Sequence, residues 1–241
     1  MTLLINEKTI VVPGEEIAEG MDYLPAQGTY RQNDKIISAQ LGLVNVNGRL
    51  IRIIPLTGRY IPKAGDTVIG KVVNISFNGW IIDIGYAYEA NLSLKEGTTD
   101  FVERNEDLTK YYDFGDIVVV KIINVSRSKF IDLTTKEPGL RKLNGGRIIQ
   151  VTPSKVPRVI GKQGSMITMV KDATNCRITV GQNGRVWIQG ENPDNEIKAV
   201  EAIRMIDEKA HIEGLTEEIK KFLGADQIDK SQKTGEEDEI N

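Results

Sequence analysis

Val159-Ile160-Gly161-Lys162-Gln163-Gly164-Ser165-Met166-Ile167 is a G-x-x-G loop with a lysine inside it, set between two short apolar runs. Two residues without Cβ atoms let the backbone pass close to a sugar-phosphate chain, and the N–H groups opening a following helix favour an anionic phosphate. Lys162 adds a counter-charge. Outward from the loop, Arg147-Ile148-Ile149-Gln150-Val151 reads as a strand, and Pro153 opens a short helix running into the glycines. Ser165 stands where a helix cap would, and Met166, Ile167, Met169 and Val170 carry the apolar spacing of a second helix. Cys176-Arg177-Ile178-Thr179-Val180 alternates as a strand. Gly181-Gln182-Asn183-Gly184 reads as a hairpin turn whose Asn-Gly pair takes positive φ, and Arg185-Val186-Trp187-Ile188 returns as the partner strand. A third helix starts at Asn192-Pro193-Asp194, with Ile197, Val200, Ile203, Met205 and Ile206 on its buried side.

The order strand, helix, G-x-x-G, helix, strand, strand, helix over residues 145–212 resembles a type I KH domain. Such domains clamp about four nucleotides of a single strand against the glycine loop. Charge points the same way. From Arg141 to Gly190 the bases are Arg141, Lys142, Arg147, Lys155, Arg158, Lys162, Lys171, Arg177 and Arg185, against the single acid Asp172. Beyond Gly190 acids outnumber bases, so the net charge of -3 conceals a strongly basic segment. Phosphate neutralisation dominates sequence-independent affinity for nucleic acid, and a local excess of cations matters more than an acidic total. The RNA-binding candidates here are Gly161, Lys162, Gln163, Gly164, Arg158, Lys155 and Arg185.

Upstream, two segments open alike: Gly65-Asp66-Thr67-Val68-Ile69-Gly70-Lys71-Val72 and Gly115-Asp116-Ile117-Val118-Val119-Val120-Lys121-Ile122. Each is a Gly-Asp turn feeding a β-branched strand. Trp80-Ile81-Ile82-Asp83-Ile84-Gly85, Glu89-Ala90-Asn91-Leu92-Ser93-Leu94 and the strand-turn-strand of residues 124–134 complete a set of short strands with polar turns. That pattern fits a small five-stranded barrel of the OB type. Residues 64–136 resemble the OB-fold RNA-binding domain of the ribosomal S-one type, which binds single strands through aromatic and basic residues on one barrel face. Carried over, the resemblance nominates Lys71, Phe77, Trp80, Arg127 and Lys129, with burial in the core the competing role for Phe77 and Trp80. Asn78 and Ile81 stand where that pattern favours other residues, and a one-residue shift along a strand changes its face.

Residues 1–60 read as a small β domain. Thr9-Ile10-Val11-Val12 ends in Pro13-Gly14, further strands cover 28–31 and 35–42, and Asn47-Gly48 joins two more. Residues 213–241 read as a short helix and a polar, acidic tail that includes Glu236-Glu237-Asp238-Glu239. The fold class is therefore mixed and multidomain: N-terminal β domain, OB-type barrel, α+β KH domain, tail. Hydrophobic residues at 40% and charged residues at 27% are the balance of soluble globular domains. No apolar run is long enough to span a bilayer and no signal-peptide pattern opens the chain, so a cytoplasmic location without membrane association is expected. The lone Cys176 excludes an internal disulfide and falls on a strand as a core thiol; the lone His211 excludes a multi-histidine metal site. No phosphate-binding P-loop or dinucleotide fingerprint occurs. The chain reads as a binding protein without a catalytic site, cofactor or metal.

The three-part order, with Val12-Pro13-Gly14-Glu15 and the Gly181-Gln182-Asn183-Gly184-Arg185-Val186-Trp187 segment, resembles the RNA-binding cap subunit of the archaeal exosome across nearly the whole chain. The resemblance implies three copies capping a ring of phosphorolytic exoribonuclease subunits. Its N-terminal domain would dock on the ring, its barrel line the pore, and its KH domain lie outward, with single-stranded RNA guided 3′ end first. Two other readings stand beside it. One is a free-standing single-stranded RNA-binding or translation-related protein built from the same modules. The other is a phosphorolytic ribonuclease, but those carry the barrel after the KH domain and long catalytic domains before both.

Overall fold

The computed structural model describes residues 2–99, 107–210, 212 and 214–224. His211 and the acidic stretch after Gly224 lie outside them. The chain divides after Arg59 into two units.

The first unit is built from strands β1 (Thr2–Leu3), β2 (Ile10–Val11), β3 (Glu16–Glu19), β4 (Leu24–Pro25), β5 (Thr29–Gln32), β6 (Lys35–Ser38), β7 (Gly42–Asn47) and β8 (Leu50–Pro55). They form two four-stranded sheets, ordered β1-β3-β6-β5 and β2-β7-β8-β4. Period-2 alternation decides what is inside: in β8, Ile51 and Ile53 are buried while Leu50, Arg52 and Ile54 face out. Val11, Ile17, Ile36 and Val44 complete that core. The β domain is thus present, but β1, β3 and β4 lie outside the strands read from the sequence. The β7–β8 turn also falls one residue later than Asn47-Gly48. Asn47 pairs with Leu50, leaving Gly48-Arg49 as the loop, and Gly48 (φ 59°) takes the left-handed position without Asn47.

The second unit holds the barrel and the KH domain. Strands β9 (Thr67–Ser76), β10 (Gly79–Asp83), β11 (Ala90–Ser93), β12 (Ile117–Val125) and β13 (Ile131–Thr134), with helix α1 (Leu94–Gly97) after β11, run in the order β13-β11-β10-β9-β12. Pairing of β12 with β13 closes the barrel. A short strand β14 (Lys142–Leu143) adds to the outer edge of β12. Val68, Val72, Trp80, Ile82, Leu92, Val118, Val120, Ile122 and Leu133 fill the interior. The Gly65-Asp66 and Gly115-Asp116 openings feed β9 and β12, which pair antiparallel with Ile117 opposite Lys71.

The KH domain follows as β15 (Arg147–Gln150), α2 (Val156–Ile160), α3 (Ser165–Thr174), β16 (Arg177–Val180), β17 (Arg185–Gln189) and α4 (Pro193–Glu208), the order expected. Its antiparallel sheet is ordered β15-β17-β16, and the helices cover one face through Val156, Val159, Met166, Val170, Ile203 and Ile206. Cys176 is buried in the same core. Two local expectations are corrected. Ser165 is the first residue of α3 rather than its cap; Gly164 caps it, and no side-chain hydrogen bond is made there. Ile197 is exposed, because the inward face of α4 runs through Ala199, Ala202, Ile203 and Ile206 at 3–4-residue spacing. Beyond residue 212, helix α5 (Leu215–Leu223) buries Leu215, Ile219 and Leu223 against the KH core.

Barrel and KH domain meet through their own apolar cluster of Ile69, Val119, Leu143 and Trp187. Val68, Ile69 and Gly70 are consecutive and all buried. This stretch of β9 therefore has the barrel core on one face and the KH domain on the other, which a single alternating pattern does not reveal.

Candidate nucleic-acid interface

The G-x-x-G loop leaves α2 at Gly161, whose φ of 77° and ψ of 174° lie in a region open essentially to glycine alone. A Cβ there would also stand 2.6 Å from both the N and Cβ of Met166. Gly164 (φ 82°) is selected differently. A Cβ would meet only Thr168 Oγ1 at 4.0 Å, so conformation rather than crowding requires glycine. Gln163 adopts the left-handed region too (φ 54°), at a cost of about 1 kcal/mol for a non-glycine residue. Lys162 and Gln163 are thrust into solvent. Helix α3 starts immediately after with no side-chain cap and no acid in its first turn, so the positive end of its dipole meets the loop. A strand of phosphates can approach this bare, cationic backbone closely.

The other KH candidates separate. Arg158 is exposed, with Nη2 donating to the Ile212 carbonyl at 3.3 Å. Lys155 is drawn away: its Nζ donates to the Asp207 carbonyl at 2.6 Å, at the C-terminal end of α4, where a cation is favoured. Asp207 also accepts from the N–H and hydroxyl of Thr152, fixing the lead into α2.

Arg185 is not brought to the loop at all. Its Nη2 donates to Asp83 Oδ2 at 2.6 Å and its Nη1 to the Asp83 carbonyl at 2.7 Å, so it links β17 to the barrel. Burial pushes the Asp83 carboxyl up. The Arg185 hydrogen bond, the Gly85 N–H and the charges of Arg185 and Lys71 outweigh this and hold it below the ordinary carboxylate range. Asn183 is corrected likewise. It does not take positive φ, and Gly184 (φ 81°) does so in its place. The Asn183 side chain is buried in the barrel instead, where Nδ2 donates to the Ile69 and Ile84 carbonyls at 2.8 Å each and Oδ1 accepts from Ile69 N–H at 3.3 Å. Gln182 N–H adds a bond to the Thr67 carbonyl at 2.8 Å. The turn is a connector between modules. Asn-Gly reads as turn chemistry in any sequence, so its second use leaves no separate signal.

On the barrel, Trp80 is fully buried, with Nε1 donating to the Tyr112 carbonyl at 2.9 Å and its ring edge-on to Tyr111 and Tyr112. It is core, not a stacking surface. Phe77 is 93% exposed at the tip of the β9–β10 hairpin, and Lys71 is exposed midway along β9. Arg127 and Lys129 are exposed in the β12–β13 turn, where Lys129 takes a left-handed φ of 68°. Since β12 runs antiparallel to β9, the Phe77 hairpin and the Arg127–Lys129 turn project from opposite ends of the strands. The five barrel candidates therefore do not make one patch. Phe130, 71% exposed beside Lys129, and Tyr88, 53% exposed after β10, were not nominated; each is an aromatic next to charged residues.

Family models match in the same three parts. The exosome RNA binding protein RRP4 N-terminal domain covers residues 8–57, the RRP4 S1 domain 59–106, and a KH domain 146–194. The exosome complex component Rrp4 of Pyrococcus abyssi is 45% identical over 224 residues, covering 92% of this chain and 84% of that protein. The Rrp4 component of Methanothermus fervidus is 47% identical over 221 residues, 92% of this chain and 97% of its own. A crystal structure described as that of an exosome complex RNA-binding protein superposes with a TM-score of 0.63 at 34% identity, over 72% of this chain and 99% of its own. With three modules matched in order and near-half identity along most of its length, the chain belongs to the Rrp4 family of exosome complex components.

Proposed function

We propose that this protein is an RNA-binding cap subunit of an exosome, without catalysis of its own, that recruits single-stranded RNA and presents its 3′ end to a ring of phosphorolytic exoribonuclease subunits. The observation that carries the reading is the open G-x-x-G loop, with Lys162 and Gln163 in solvent above an uncapped helix start. In this reading residues 1–60 dock on the ring, three copies surround the pore, and residues 64–136 and 145–212 handle the RNA. Gly161, Lys162, Gln163, Gly164 and Arg158 form the KH contact, with Arg127 and Lys129 supplying charge on the barrel. Lys155 and Arg185 act by holding α2 and the barrel in place. No helix among the described residues is long and apolar enough to cross a membrane.

The test is anisotropy of a labelled single-stranded oligoribonucleotide against the full chain at low and high salt, beside a Lys162→Asp/Gln163→Asp variant. Each phosphate neutralised contributes a slope of about -0.7 in log affinity against log salt. Salt-sensitive binding that the variant loses by tenfold or more is expected. Binding indifferent to both salt and variant would overturn the reading.

A further inference from the structure

Parallel pairing of β11 with β13 sets Ala90 beside Ile131 and Asn91 beside Asp132. The segments leading into those strands, Tyr86 to Glu89 and Arg127 to Phe130, are therefore neighbours. Both present aromatic rings to solvent: Tyr88 is 53% exposed and Phe130 71%, while Tyr86 backs Tyr88 with ring centroids 5.9 Å apart. Arg127 and Lys129 stand in the same place, exposed and without an ion-pair partner among the described residues. The acids of this end are Glu89, exposed, Asp132, half-buried on β13, and Asp83, paired with Arg185. The KH turn abuts it directly. Asn183 bonds to Ile84, Arg185 bonds to Asp83, and the Arg185 guanidinium lies against Gly85, immediately before Tyr86. On its other side the turn touches the segment that leads into α2, with Gly184 packed against Pro153 and accepting from Val151 N–H at 2.8 Å. The seam between modules is thus bordered by the lead into the G-x-x-G helix on one side and an aromatic-basic surface on the other.

We propose that Tyr88 and Phe130 form a base-stacking platform, with Arg127 and Lys129 neutralising the adjoining phosphates, and that one RNA strand leaving the KH clamp crosses the seam onto it. The proposal rests on the RNA-binding reading above. Interleaved aromatic and basic side chains are the chemistry of sequence-tolerant single-strand binding, since every base offers a π-face. An apolar protein partner would be served poorly by rings flanked with unpaired cations. The platform sits at the end of the barrel opposite Phe77, so a strand arriving from the KH domain meets Phe130 and Tyr88 first.

The experiment measures binding of a four-nucleotide and a twelve-nucleotide oligouridylate to the full chain. The variants are Tyr88→Ala, Phe130→Ala and the aromatic-retaining pair Tyr88→Phe and Phe130→Tyr. Each alanine change should weaken the longer RNA by about 5- to 100-fold and leave the shorter one nearly untouched, with the salt slope unchanged. The Phe and Tyr replacements should restore wild-type affinity. Wild-type affinity for the longer RNA in both alanine variants would overturn the platform while leaving the RNA-binding reading intact. Alanine variants that keep RNA but lose co-migration with ring subunits would reassign the surface to a protein contact, and also overturn it. A wild-type chain that binds neither RNA at low salt would remove the parent reading with it.

Discussion

Gly161 and Gly164 share a motif but answer to different constraints, and the difference sets what each substitution does. At Gly161 a methyl would strike the Met166 backbone and the φ of 77° would remain strained. Gly161→Ala should therefore cost about 2–4 kcal/mol, read as a lower denaturation midpoint in urea. A change below about 1 kcal/mol would mean the loop adopts another backbone path. A second residue-scale effect is acid sensitivity. The Asp83 carboxyl is held below its ordinary value, near 3.8, so the stabilisation is present above that value and is lost as pH falls through the depressed one. Between pH 7 and about 5, wild type and Asp83→Asn should each be insensitive to pH, and below about pH 4 wild type should lose stability more steeply. Parallel acid curves for the two would show that the Arg185 pair contributes nothing at the seam.

At the scale of elements, the β16–β17 turn ties the KH sheet to the barrel through the Asn183 side chain and the Gln182 N–H. Asn183→Ala would strip three hydrogen bonds from buried partners, leaving the Ile69 N–H and the Ile69 and Ile84 carbonyls to find others. A loss of about 2–4 kcal/mol is expected, with barrel and KH domain no longer melting together in calorimetry. One cooperative transition at the wild-type midpoint would contradict this. The same turn marks the limit of what the sequence made legible. Element order, barrel strands and the loop glycines could be read, because period-2 alternation and G-x-x-G spacing express local physics. The partners of Asn183, Arg185 and Lys155 could not. Each bonds to a backbone carbonyl or a carboxylate on a distant segment, and nothing in a neighbouring residue announces that contact. Trp80 failed as a nominee for the reverse reason, since an aromatic in a strand looks alike whether its face is wet or dry.

Across the whole molecule, charge and packing are unevenly shared. The basic stretch from Arg141 to Gly190 carries the G-x-x-G loop, while after it acids outnumber bases. Packing divides the chain elsewhere, after Arg59, because the KH domain is joined to the barrel by an apolar cluster as well as polar bonds. Ile69 and Val119 come from the barrel, Trp187 from the KH sheet, and Leu143 from the strand between them. Neither module has a finished surface alone. Barrel and KH domain are therefore one unit for engineering: a transplanted KH domain should need the barrel face that matches its Trp187 side. Useful dissection of the chain begins at residue 60, not at the linker where the two names divide.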